Sequence, residues 1–198
     1  MEKKLNVALK EWAVVCDAVL AGRQPILLRK GGIYEAAGEF ELEQSRFALF
    51  PTVLHQKPEL VKSAWRSAIQ SVDREPESIT MRGWAEVFWI GRVPDRRAID
   101  ALDDLHLWDK PLIDMRLNYR PDYPLYVIVV RGLVLPQPVT VAMNEAYAGC
   151  KSWVPLQESI DINGSRAVLA DSALAAIRDR ITKTFGGVPP TEITHGNR

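Results

Sequence analysis

Several familiar chemistries are excluded by what this sequence lacks. Only two of its 198 residues are cysteine, Cys16 and Cys150, and three are histidine. Two such distant cysteines make no zinc cluster, and neither H-E-x-x-H nor C-x-x-C occurs, so no metal or other cofactor is expected. Long apolar runs are also missing. The longest strongly apolar stretch, "LYVIVV" at 125–130, has the length of a strand, and the early segment "LNVALKEWAVVCDAVL" is broken by Lys10, Glu11 and Asp17. Neither a membrane span nor an export signal is expected, which reads as a cytoplasmic protein with reduced thiols. Nor is one sign of charge in excess: 25 Lys and Arg face 25 Asp and Glu, so any attraction to nucleic acid must come from a local patch. No G-K-[ST] follows Gly31-Gly32, which removes a P-loop. A metal-dependent nuclease centre fails as well, because the strand after Pro121-Asp122 supplies Arg131 without a second carboxylate.

What is present suits an α+β protein with a mixed or antiparallel curved sheet and flanking helices. Leu5, Leu9, Trp12, Cys16 and Val19 recur at intervals of three or four, which predicts a first helix of about four turns closed by Gly22. Short strands are predicted at Ile26–Arg29 and Arg46–Pro51. Pro58 opens a predicted amphipathic helix running through Leu60, Val61, Ala64, Trp65, Ala68, Ile69 and Val72. A long central strand is predicted over Ile79–Val93 with Gly83 as a bulge, then a short helix capped by Asp95. "DKPLIDMRLNYRPDYP" reads as a connection. Strands follow at Leu125–Leu135, from near Val139, and at Cys150–Leu156; Asn163-Gly164 marks a hairpin turn. Asp171 is expected to cap a closing helix on which Leu174, Ile177, Ile181 and Phe185 share a face. The organisation expected is one domain over 1–185 and a tail over 186–198.

The candidate site residues cluster in three stretches. Arg29 and Lys30 end a strand before Gly31-Gly32, where a guanidinium fork, an ammonium and exposed backbone N–H groups would suit an anion; solvated charges at a tight turn fit the same pattern. Glu35 lies close behind them. In "FPTVLHQ", His55 and Gln56 offer an imidazole and an amide to a base edge or a proton transfer, or else organise the turn. In "GCKSW", Cys150 with Lys151, Ser152 and Trp153 is the one nucleophile candidate, and equally a small core residue. Of the six tryptophans, Trp84, Trp89, Trp108 and Trp153 are candidate stacking platforms if they face Arg82, Arg116 or Lys151; otherwise they are core.

In combination, "LKEWAVVCDAVLAGRQPILLRKGGI", "FPTVLHQ", "ALDDLHLW", "PLYVIVVRG" and "GCKSWVPL" resemble the bacterial family called domain of unknown function 1802. The resemblance implies no established activity; members beside a restriction-endonuclease-type domain imply a link to nucleic-acid defence. A second resemblance is to the ASCH domains of the PUA-like superfamily, small β-barrels that bind RNA or modified nucleosides. Their G-x-K-x-x-E-x-R motif finds Gly22 and Arg29 at matching separation, but its Lys and Glu positions hold Gln24 and Leu27, so the hydrolase chemistry of some ASCH domains is not implied.

The expectation is therefore a cytoplasmic binding module for RNA, DNA or a nucleotide-like anion, held by Arg29, Lys30, Glu35, His55, Gln56, Lys151, Ser152 and Trp153. Two alternatives remain: a small hydrolase using His55 or Cys150, and a protein-interaction subunit or homo-oligomer.

Overall fold

The computed structural model describes residues 3–30, 44–70, 72–149 and 151–187. In chain order the elements are β1 (Lys4–Trp12), α1 (Ala13–Leu20), β2 (Ile26–Lys30), β3 (Arg46–Thr52), α2 (Ser63–Arg66), β4 (Ser78–Arg92), α3 (Arg96–Asp100), α4 (Lys110–Asn118), β5 (Leu125–Ala142), β6 (Trp153–Asp161), β7 (Arg166–Ala167) and α5 (Asp171–Thr184). The strands form one open, curved sheet in the order β2-β5-β4-β3-β1-β6, with β7 added to β5. Among the strand pairs of the described residues, β1–β3 is parallel and the others are antiparallel. The class is α+β, as the sequence pattern implies.

Two apolar clusters use the two faces of this sheet, and β3 alternates between them: Phe47 and Leu49 enter one, Ala48 and Phe50 the other. The larger cluster takes in α1 and α5 together with the 98–113 segment, through Val15, Val19, Ile99, Trp108, Ile113, Leu174 and Ile181. The smaller holds Phe50, Met81, Trp84, Tyr147 and Ile160. The sheet bends where β4 and β5 slip register, between Met81 and Gly83 and again between Val87 and Trp89. A Cβ on Gly83 would stand 2.4 Å from the Leu133 carbonyl oxygen and 2.4 Å from Leu20 Cδ2, so a side chain there would push the strands apart.

Four predicted elements take a different form. The predicted first helix is strand β1 up to Trp12 and helix only from Ala13. The predicted Pro58–Val72 helix breaks into a 3-10 turn, Pro58–Leu60, and the single turn of α2, because the chain pairs with other segments instead: Val61 bridges to Trp108 and Leu54 to Val72. The 109–124 connection contains α4, whose N-cap Asp109 accepts the Lys110 N–H and whose second position is Pro111. The two strands expected around Pro136 and Pro138 are one strand, β5; between Val134 and Val139 it takes five steps where β4 takes two, and the prolines fall inside that irregularity. The turn at Gly164, φ 74, leads from β6 to β7, which pairs with β5. The predicted tail lies outside the described residues beyond Gly187.

Candidate functional site

β1 carries two charged residues into the interior. It is a central strand between β3 and β6, so successive side chains meet protein on both faces: Lys10 on one, Glu11 on the other. Both are buried. A buried charge must find partners, and each does. Lys10 Nζ donates to the carbonyls of Tyr147 and, at 2.8 Å, Gly149, and lies over the Phe50 ring. Glu11 Oε1 is 2.7 Å from Arg29 Nη2, which also donates to the Lys10 carbonyl at 2.8 Å.

This ion pair spans the open side of the sheet. β2 is one edge and β1 lies next to the other, four strands along, so the curvature of the sheet brings their C-terminal ends together. The outer edge of β2 is closed by side chains rather than a strand. Its Ile26 carbonyl accepts the Gln24 amide at 3.1 Å, and its Leu28 carbonyl accepts Arg116 Nη1 from α4. Gln24 is fully buried and also accepts the Leu107 N–H at 3.0 Å, tying β2 to the segment before α4. Lys30 Nζ donates to the Leu117 carbonyl at 2.8 Å, and burial lowers its pKa.

Arg116 therefore stands within electrostatic reach of the Arg29–Glu11 pair. The Arg116 guanidinium lies 5.5 Å from the centroid of the Trp108 ring, which meets Trp12 edge to face at 5.1 Å. Burial pushes the Arg116 pKa down to about 10; the Arg29 charge adds to this and Glu11 opposes it. Arg29 Nε is buried with no hydrogen-bond partner among the described residues. Behind the pair, the Cys16 thiol is buried and its pKa is raised by burial first, then by Glu11 and Asp17, which keeps it protonated and weakly nucleophilic.

The structure brings together part of the set selected from sequence. Ser152 meets β1 at the same residue as Arg29: its carbonyl accepts the Lys10 N–H at 2.8 Å, and the Lys10 carbonyl accepts Arg29. Trp153 pairs with Leu9 across β1–β6 and packs edge-on against Phe47, with its indole N–H buried and unpartnered among the described residues. Lys151 is exposed. Gln56 is buried at the start of α1, where its amide lies 3.5 Å from the Val14 nitrogen and 3.3 Å from the Gln70 carbonyl. His55 is exposed, with φ 63. Glu35 and Cys150 lie outside the described residues. Trp84, Trp89 and Trp108 are buried core residues.

Sequence reasoning missed Glu11, and Arg116 entered only as a partner for a tryptophan. The signal for Glu11 was visible: Lys10-Glu11 interrupts an apolar run, and a charge inside a strand needs an opposite charge elsewhere. A cavity of about 350 Å³ lies elsewhere, between α1, β3 and the 68–82 segment. Gln56 is the one candidate residue lining it. Among the described residues no three metal-ligating side chains gather, and no helix is long and apolar enough to cross a membrane.

Sheet, helices and buried cluster together define an α+β domain with an open curved sheet whose ends are joined by a charge pair. The chain belongs to the DUF1802 family, a domain of unknown function, whose model matches residues 8–180. A comparison with curated proteins finds no match. Among solved structures it is similar to the ASCH protein of Zymomonas mobilis, at 10% identity and a TM-score of 0.42, over 94% of this chain and 96% of that one. A point mutant of the same protein matches at 9% identity and a TM-score of 0.39, over 73% and 92%.

Proposed function

We propose that this protein is a binding module that takes the phosphate of a nucleotide or nucleic acid at the β1–β2 end of the sheet, beside Arg29 and Arg116. The observation supporting this reading is that three cations gather at this end of the sheet beside the one buried carboxylate of Glu11: Arg29 pairs with Glu11, Arg116 donates to the Leu28 carbonyl, and the Lys30 ammonium reaches from β2 to the Leu117 carbonyl of α4. Such a cluster keeps a residual positive charge in a partly desolvated place, where a phosphate gains more than it would at an open surface. Guanidiniums suit the planar oxygens of phosphate, and the Trp108 ring holds one of them in position. The reading includes a cytoplasmic location and, through the family resemblance, a connection to nucleic-acid defence.

Fluorescence anisotropy with short labelled single- and double-stranded RNA and DNA tests it. Salt-sensitive binding to at least one of the four is expected, and Arg116→Met, which keeps an apolar stem against Trp108, should weaken it by about tenfold, as for one charge-assisted contact. Absence of salt-sensitive binding, or a variant that binds like the parent, would overturn the reading.

A further inference from the structure

Three of the tryptophans are buried and three half-buried, but another aromatic side chain lies open. Tyr119 is 59% exposed and Met115 57%, far more than the apolar residues of the two clusters. They stand four residues apart at the end of α4, which places them on one face of its last turn, and the Tyr119 N–H closes that turn on the Met115 carbonyl at 2.9 Å. Immediately after comes a tight turn in which the Tyr123 N–H meets the Arg120 carbonyl at 2.9 Å. The Arg120 guanidinium lies 5.5 Å from the Tyr119 ring centroid and 5.9 Å from that of Tyr123, so it serves both rings. Arg120 itself takes the left-handed backbone, φ 44, which a long side chain adopts at a cost.

This surface is fixed to the cationic cluster. Arg116, in contact with the Leu28 carbonyl, is three residues before Tyr119, and Lys30 holds the Leu117 carbonyl two residues before it. An exposed ring with cations on both sides along one helix end matches what a single strand presents: flat bases that stack and phosphates that pair with cations. A duplex hides its bases and could use only the cations. Of the neighbouring acids, Asp114 is held by Arg96 and Asp122 is exposed in the turn, so Lys30, Arg116 and Arg120 still outnumber that carboxylate.

We infer that Tyr119 and Arg120 form a base-stacking platform for single-stranded nucleic acid, with the adjoining phosphate directed to Lys30 and Arg116. The inference rests on the anion reading given above and adds to it the class of partner and the element that meets the base. The test uses the full chain and two fluorescein-labelled probes of equal length, a ten-nucleotide oligouridylate and an abasic strand with the same phosphates. The protein should bind the base-bearing strand about 5- to 100-fold more tightly, the range that stacking of a base on an aromatic ring provides. Tyr119→Ala should abolish that preference while leaving the abasic strand bound as before, and Tyr119→Phe should retain it; circular dichroism confirms that the variants fold. Arg116→Met should weaken binding of both strands. Equal affinity of the parent for the two strands, or a preference that survives Tyr119→Ala, overturns the platform while the anion site stands if Arg116→Met still weakens binding. Failure of both probes to bind overturns the platform, and the anion site falls with it only if the duplex probes also fail to bind.

Discussion

Glu11 and His106 are both buried titratable side chains, and the fold treats them differently. Glu11 has the Arg29 guanidinium at 2.7 Å, whereas His106 has no partner at Nδ1 among the described residues, and the ammonium of Lys62 is held at its carbonyl oxygen, 2.6 Å away. Burial lowers the His106 pKa from 6.5 to about 4, and Lys62 adds to that against the opposing pull of Asp103 and Asp104. The unfolded chain takes up a proton near pH 6.5 while the folded chain refuses it until about pH 4. Stability is therefore complete above about pH 6.5 and falls as the pH drops towards 4, by about 3 kcal/mol in total. Asp104 acts in a lower range, because its hydrogen bonds to Arg180 move its pKa below the ordinary carboxylate value. Urea denaturation at pH 7 and pH 4.5 measures the loss, and His106→Gln, which cannot take the proton, should remove most of the difference between the two. A variant that keeps the full difference would assign the pH dependence to other groups.

At the scale of elements, the side chains of Gln24 show how an edge strand is closed without another strand. Its amide joins the Ile26 carbonyl of β2 to the Leu107 N–H before α4, with no access to water. Gln24→Leu keeps the volume but leaves that N–H buried and unpaired, so a loss of about 1–3 kcal/mol is expected in chemical denaturation, larger than for the same change at an exposed glutamine. Elements like β2 and β4 were legible because their apolar residues are continuous and bounded by turn residues, and the Asp95 cap was legible because it needs only local sequence: its carboxylate accepts the Ala98 N–H at 2.8 Å. β1 was not. Leu5, Leu9 and Trp12 keep helical spacing, yet a strand with partners on both sides and both faces covered has no reason to alternate, and pairing with β3 and β6 decided its conformation. The Pro58–Val72 segment failed for the related reason that helical spacing is necessary but not sufficient: Leu60 and Val61 enter the core while Ala64 and Ala68 face water. The site was half legible. Arg29 stood out at a strand end, but its partner Glu11 lies eighteen residues earlier on a strand that meets β2 only through the curvature of the sheet.

For the molecule as a whole, equal numbers of acidic and basic residues mean that attraction to a polyanion depends on where cations escape carboxylates. Many do not. Arg82 is paired with Asp17, Arg96 with Asp100 and Asp114, Arg131 with Glu86 and Asp171, and Arg180 with Asp104. Lys30, Arg116 and Arg120 are held instead by carbonyls and aromatic rings, which leave their charge available. These three lie on or beside the end of α4, so a bound single strand should meet about two or three cations and release few counterions. The slope of log affinity against log salt concentration for oligouridylate is then expected between about −1 and −2, since each phosphate neutralised on a single strand contributes about −0.7. A titration from low to moderate salt reads the slope directly, and Arg120→Ala should make it shallower by about 0.7. A slope steeper than about −4 would require a broad basic face, which the paired arginines around the sheet do not provide, and would move the binding surface away from α4.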